Sequence, residues 1–169
     1  MILNDLITDA RKILIDTNSA NYRWDDDSFI DWFRECVEII YSHNVNLFLD
    51  ELGNIEKGTY RNSSLHVVST AYVLGDIVHN SDDEMFECTT VAGGTSAGTA
   101  PTWVLGYEAE TIDNDITWEN LERNDIPFPD HTKNNLIAFL IAKAYEIDST
   151  DQNNYQLSQA YMQQFGDIL

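Results

Sequence analysis

Basic side chains are scarce in this sequence. Nine lysines and arginines face 29 aspartates and glutamates, for a formal charge of −20. A chain so acidic does not settle on DNA or anionic lipid by simple attraction. It suits a solubilising surface, or the wall of a channel through which DNA slides without sticking. Cysteine is equally scarce. Cys36 falls in a helical pattern and Cys88 in a β pattern, with no CxxC pair and no Cys/His spacing. That argues against a zinc site and for two buried thiols in a reducing compartment. No apolar run approaches the length of a membrane span. Met1-Ile2-Leu3-Asn4-Asp5 has neither a basic segment nor a long apolar one, so no signal peptide is expected.

Catalytic patterns are lacking as well. There is no Gly-x-Ser-x-Gly elbow. His43, His66, His79 and His131 have no histidine partner at i+3 or i+4 and read as ordinary surface or packing residues. The Gly93–Gly98 loop has no following Gly-Lys-Ser/Thr and does not open a helix, so it reads as a floppy loop rather than a phosphate cradle. With this many carboxylates some pair will always look catalytic, which is a matter of base rate. The expectation is a non-enzymatic protein with no cofactor and no metal.

The chain has 169 residues, of which 43% are hydrophobic, enough for a core. Leu3, Leu6, Ile7, Ala10, Ile13 and Leu14 have the spacing of one buried helix face over 2–15. Asn4 and Asp5 suit its N-terminus. Asp25-Asp26-Asp27-Ser28 opens a second helix, with Phe29, Trp32, Phe33, Cys36, Val37 and Ile40 at helical spacing. The acid triplet reads as capping rather than as a metal site, because three consecutive residues at a helix start cannot all face one ion. Residues 45–62 are ambiguous: Val45 to Leu52 extend this helix, with Gly53-Asn54 or Gly58 ending it, or residues 43–62 form an extended, lumen-facing arm.

From residue 65 the character changes. Val67-Val68, Ile77-Val78, Phe86 to Val91 and Thr111-Ile112 are β-rich, with turns at Gly75-Asp76, Asn80–Asp83 and Gly93–Gly98. Asp113-Asn114-Asp115 reads as a hairpin turn feeding the strand Ile116-Thr117-Trp118. Ile126-Pro127-Phe128-Pro129 is an extended connector. Helix resumes near 131 with Leu136, Ile137, Leu140, Ile141, Ala144 and Tyr145. Ser149-Thr150-Asp151 reads as a break and cap before a last face of Leu157, Tyr161, Phe165 and Ile168. The expected fold class is α+β: an antiparallel bundle of about four helices with an inserted small all-β module. The helical core is assigned to 1–62 and 123–169, and the β insertion to 63–122.

The β aromatics admit two readings. Trp118 and Phe86 read as the large side chains that a small core requires. Tyr72 and Trp103 stand between core and ligand-facing roles, the latter suited to stacking on a sugar ring. Trp24 and Trp32 read as helix-packing residues.

Three groups of residues carry a resemblance. The patterns Leu6-Ile7-x-x-Ala10-Arg11-x-Ile13-Leu14-x-Asp16, Arg23-Trp24-Asp25-Asp26 and Phe29-Ile30-x-Trp32-Phe33 resemble the N-terminal half of head-to-tail adaptor proteins of tailed phages, podophages especially. Leu136-Ile137-x-x-Leu140, Ala144-Tyr145-Glu146-x-Asp148 and Ala160-Tyr161-x-x-x-Phe165 resemble their last two helices. Tyr72-x-x-Gly75-Asp76-x-Val78, Phe86-x-Cys88, Pro101-Thr102-Trp103 and Ile116-Thr117-Trp118 resemble short β modules of phage virion proteins and, more distantly, chitin-binding modules, but without a tryptophan shortly before Tyr72. The resemblance implies a virion protein at the head–tail interface, assembled in the host cytoplasm. It implies a cyclic homo-oligomer of about twelve copies beneath the portal protein, continuing the DNA channel. Further partners would be tail tube, nozzle or tail-fibre proteins. The C-terminal residues Tyr155, Tyr161, Phe165, Ile168 and Leu169 are the expected portal contact. The alternative is a carbohydrate-binding virion module that contacts host glycan.

Overall fold

The computed structural model describes every residue except 50, 51, 54, 56, 148–151 and 169, and all side chains of those described except that of residue 122. The fold is mixed α+β. It divides into two compact units, one of residues 1–60 with 125–169, the other of residues 61–124.

The first unit is helical. Helix α1 spans Leu3–Leu14, α2 Asp26–His43, α3 Lys133–Ile147 and α4 Gln152–Gly166. Among described elements α3 packs on α4, α1 and α2. Its residues Leu136 to Ala142 are buried without a break, the mark of a central helix enclosed on all sides. Leu3, Leu6, Phe29, Phe33, Cys36, Ile40 and Phe48 complete the core around it.

Several expectations hold in detail and others do not. Asp25 caps α2: its Oδ1 accepts from Ser28 N at 2.8 Å and from Ser28 Oγ at 2.6 Å. These two bonds hold the Asp25 carboxyl below the usual aspartate range. Asp25→Ala should therefore cost about 1 kcal/mol of stability in the helical unit. The sign with pH follows from the lowered folded value. The contribution is present above the unfolded aspartate range of about 4 and fades as pH falls through the folded value. Thermal melts of wild type and variant should thus converge in acid.

Asn4 and Asp5 lie in the first turn of α1 as expected, but neither caps it: the capping position is Ile2, which makes no side-chain cap bond. Ile13 points outward at 49% exposure, whereas Leu14 packs partly buried against the core just before α1 ends at Ile15 in the left-handed region (φ 56°). Helix α2 does not run on past His43 through the described residues 44–49, and residues 50 and 51 lie outside the described residues. Asn44 leaves the helix, Val45–Phe48 make a single 3₁₀ turn, and Phe48 drops into the core. Leu49 then bridges Ile55. Asn54 and the break at Ser149-Thr150-Asp151 lie outside the described residues.

The second unit is all β. Strands β1 (Ser64–Leu65), β3 (Ile77–His79), β4 (Met85–Cys88), β7 (Ile116–Glu122) and β6 (Glu110–Asp113) form a sheet in that order. β1 is parallel to β3, and the other pairs are antiparallel. β2 (Ala71–Tyr72) and β5 (Gly94–Thr95) make a separate antiparallel pair. The hairpin at Asp113–Ile116 forms as expected, with Asn114 at φ 56°. Val67-Val68 is not a strand; both residues are exposed between β1 and β2.

The loop expected at Gly93–Gly98 is tied down instead. A Cβ on Gly93 (φ +66°) would lie 2.7 Å from the Tyr72 carbonyl oxygen, so glycine is what lets β5 close on β2. Ser96 is buried, accepting from Thr70 N and donating to the Val67 carbonyl.

Candidate functional site

The chemistry available inside the helical unit is poor in nucleophiles. Burial pushes the Cys36 thiol well up, with a smaller push from Glu35, so no thiolate forms near neutrality. Among the described residues no cluster of His, Cys, Asp and Glu is placed to hold a metal ion. One depression of about 230 Å³ lies between Arg34, Lys57 and Tyr60, and another of about 210 Å³ beside His131, Asn135 and Ile168. Both fall below the roughly 300 Å³ at which small-molecule sites begin.

One helix surface is more informative. Helix α4 reads Gln-Asn-Asn-Tyr-Gln-Leu-Ser-Gln-Ala-Tyr-Met-Gln-Gln-Phe-Gly, without a single charged residue, in a chain that is 22% charged overall. Its inward face is set by Ser158 and Phe165, the latter 2% exposed with its ring 4.7 Å from that of Phe139. Tyr161, Met162 and Ile168 pack partly buried against the same core, and Tyr161 stacks on Tyr145. The outward face carries Gln152, Gln156, Gln159, Ala160 and Gln163, flanked by exposed Tyr155 and Leu157. Helical geometry dictates this division, because positions three and four apart share a face.

The expected portal-contact residues therefore separate. Tyr155 is 57% exposed and free to meet a partner. Phe165 is a core residue, which corrects its assignment as a contact: its ring is spent on Phe139. Tyr161 and Ile168 are largely committed to the same core. Leu169 lies outside the described residues. Leu157, read from sequence as part of the inward face, stands 41% exposed.

The β aromatics resolve in the same way. Tyr72 is 8% exposed, so its assignment as a ligand-facing residue is also corrected. Its hydroxyl accepts from Val67 N at 2.8 Å and donates to the Val67 carbonyl, while Trp118 meets its ring edge-on. Trp103 is half-buried, with Phe86 at 4.1 Å tilted across it and the edge of His66 nearby. Phe86 and Trp118 are fully buried, as are Trp24 and Trp32 nearly so in the helical unit.

Beneath these rings lies a polar arrangement that sequence reasoning missed. Asp113 Oδ2 accepts from His66 Nε2 at 3.0 Å and from Trp118 Nε1 at 3.4 Å, and Oδ1 accepts from Ala97 N at 2.8 Å. Both side chains are buried. His66 is thus neither a surface residue nor a simple packing one. It is one arm of a carboxylate hub that joins three stretches of the β unit. The arrangement lacks a nucleophile in contact with His66 Nε2, which is already given to Asp113.

Two adjoining turns of the β unit bear exposed aliphatic side chains. Val73 and Leu74 sit in the turn closed by Asp76, and Val91 in the turn closed by Gly93. A Cβ on Gly93 would meet the Tyr72 carbonyl oxygen and Val73 Cα, so the two turns run close together.

No family model matches this sequence, and neither a curated protein nor a solved structure shows significant similarity to it.

Proposed function

We propose that this chain is a non-enzymatic structural protein of a phage virion, a head-to-tail adaptor whose copies form a ring beneath the portal and continue the DNA channel. In this reading the four helices are an antiparallel bundle and residues 61–124 are its inserted β module. The observation that carries it is the outer face of α4. A −20 chain keeps one exposed helix face free of charge, and protein interfaces are depleted of charge and enriched in tyrosine in the same way. The residues behind the resemblance lend support: Arg11, Asp16, Arg23 and Asp26 converge on one clamp between α1 and α2.

Each part then has a task. The exposed Tyr155 and Leu157 meet the portal. The Val73, Leu74 and Val91 turns offer an apolar contact to a tail protein. The excess of acid keeps DNA moving through the lumen. Tyr72, Phe86 and Trp118 are buried and Trp103 is half-buried, which leaves Tyr107, 66% exposed, as the one open ring among the described aromatics of the β module; a single ring with no second beside it makes glycan binding the weaker reading.

Truncating 150–169 is a poor test, because it removes Phe165 from the core. Tyr155→Asp combined with Leu157→Asp leaves the core intact. This double variant should melt within about 0.5 kcal/mol of wild type. It should fail to co-sediment with the portal ring of the same genome. Unchanged portal binding would show that the contact lies elsewhere.

A further inference from the structure

Between β5 and β6 the chain runs as an irregular strap, residues 96–109. Two places pin it. Ala97 N donates to Asp113 Oδ1 and Val104 N to Thr111 Oγ1, both at 2.8 Å. Asn120 Nδ2 adds a bond to the Val104 carbonyl. Between these pins, Gly98 to Trp103 make no hydrogen bond among the described residues. Gly98, Thr99, Ala100 and Thr102 stand exposed, and Pro101 has no N–H to give. What ties this stretch to the sheet is the ring of Trp103, 4.1 Å from that of Phe86 and met by the edge of His66 at 5.1 Å. A solvated segment with one apolar anchor costs little to lift, because lifting parts one half-buried ring and breaks no hydrogen bond. Beneath it Phe86 is fully buried, and the His66 and Asp113 side chains are 4% and 0% exposed.

We propose that Gly98 to Trp103 form a latched strap that lifts as a unit while the sheet stays folded, with Trp103 as the latch. Lifting parts the two rings, baring Phe86 and releasing Trp103. It also admits water to the hub below, where Trp118 Nε1 donates to Asp113. The closed form is thus one of two states of the β unit, and the strap decides when its aromatic face is open. This device belongs to the β unit and stands whether or not the chain is an adaptor.

Native-state hydrogen exchange on the full chain, read by NMR in low urea, tests the latch. The reporters are Val104 N–H at the strap's end and the Trp118 indole N–H beneath it. Both should exchange at least about tenfold faster than the ladder amides of β4 and β7, and with a weaker urea dependence, because lifting the strap exposes less surface than unfolding the sheet. Trp103→Ala should speed both reporters by at least about tenfold further. Ile116→Val weakens the core at a residue buried in β7, away from the strap. It should speed the ladder amides about three- to tenfold and leave the reporters unchanged. This second variant decides the matter if Trp103→Ala does not fold. Reporters that exchange with the ladder amides at one rate and one urea slope overturn the proposal. So does an Ile116→Val chain in which both sets speed up equally.

Discussion

Replacing Arg11 with alanine should destabilise the helical unit by about 3–5 kcal/mol, lowering its melting midpoint by roughly 10–25 °C. Arg11 is buried, its side chain 5% exposed and that of Asp16 6%. Its guanidinium donates to Asp16 Oδ2 and, at 2.7 Å, to Asp26 Oδ1. The same group lies 3.6 Å from the Tyr22 ring centroid and 4.6 Å from that of Phe29. Asp16 also accepts from Arg23 N at 2.9 Å, so the clamp fixes the whole passage from α1 to α2. Removing the cation leaves the Asp16 carboxylate buried without its counter-charge, with the Arg23 N bond remaining, and that cost exceeds what the pair contributes when intact. Arg11→Lys should recover little, because one ammonium cannot fork to two carboxylates while lying flat on Tyr22. Adding Asp16→Asn to the alanine variant should restore part of the loss. If Arg11→Ala melts within about 1 kcal/mol of wild type, the clamp is not a stabilising element.

The second large effect is expected at Asp113. Asp113→Ala strips the acceptor from Ala97 N, His66 Nε2 and Trp118 Nε1 in the middle of a small core. Each buried donor left without a partner costs about 1–3 kcal/mol, so a loss of about 3–4 kcal/mol is expected. Among the described residues the β core cluster consists of Tyr72, Val78, Phe86, Cys88, Ile116 and Trp118, with Trp103 against them. So small a core has little margin. Trp118 fluorescence should report melting of the β unit at a much lower temperature than in wild type. Asp113→Asn should be milder, since its carbonyl oxygen still accepts from Ala97 N. Equal melting of wild type and Asp113→Ala would remove the hub from the account.

What the sequence made legible follows periodicity. Leu3, Leu6, Ile7 and Ala10 on α1, and the stripe on α2, are buried as their spacing predicts. Asp25 as a cap and Asp113–Ile116 as a hairpin turn are local events, decided by neighbours a few residues away. What remained hidden is long-range. Nothing beside Arg11 marks it as buried, because its partners Asp26 and Phe29 arrive from another helix. His66 finds Asp113 47 positions along the chain. The pairing of β2 with β5 depends on Gly93 passing the Tyr72 carbonyl, an approach that no local propensity encodes. Phe165 and Tyr155 looked equivalent as aromatic members of a last helix, and only the position of α3 separates core from surface. The charge-free run of α4 was in plain view; its meaning emerges once Phe165 fixes which side faces out.

The measurement that bears most directly on the central claim is sedimentation velocity of wild-type protein mixed with the portal ring of the same genome. The account predicts that the free chain sediments as a small species and moves with the portal at a fixed ratio of copies per ring. Persistent separate sedimentation at every salt concentration would contradict the adaptor reading.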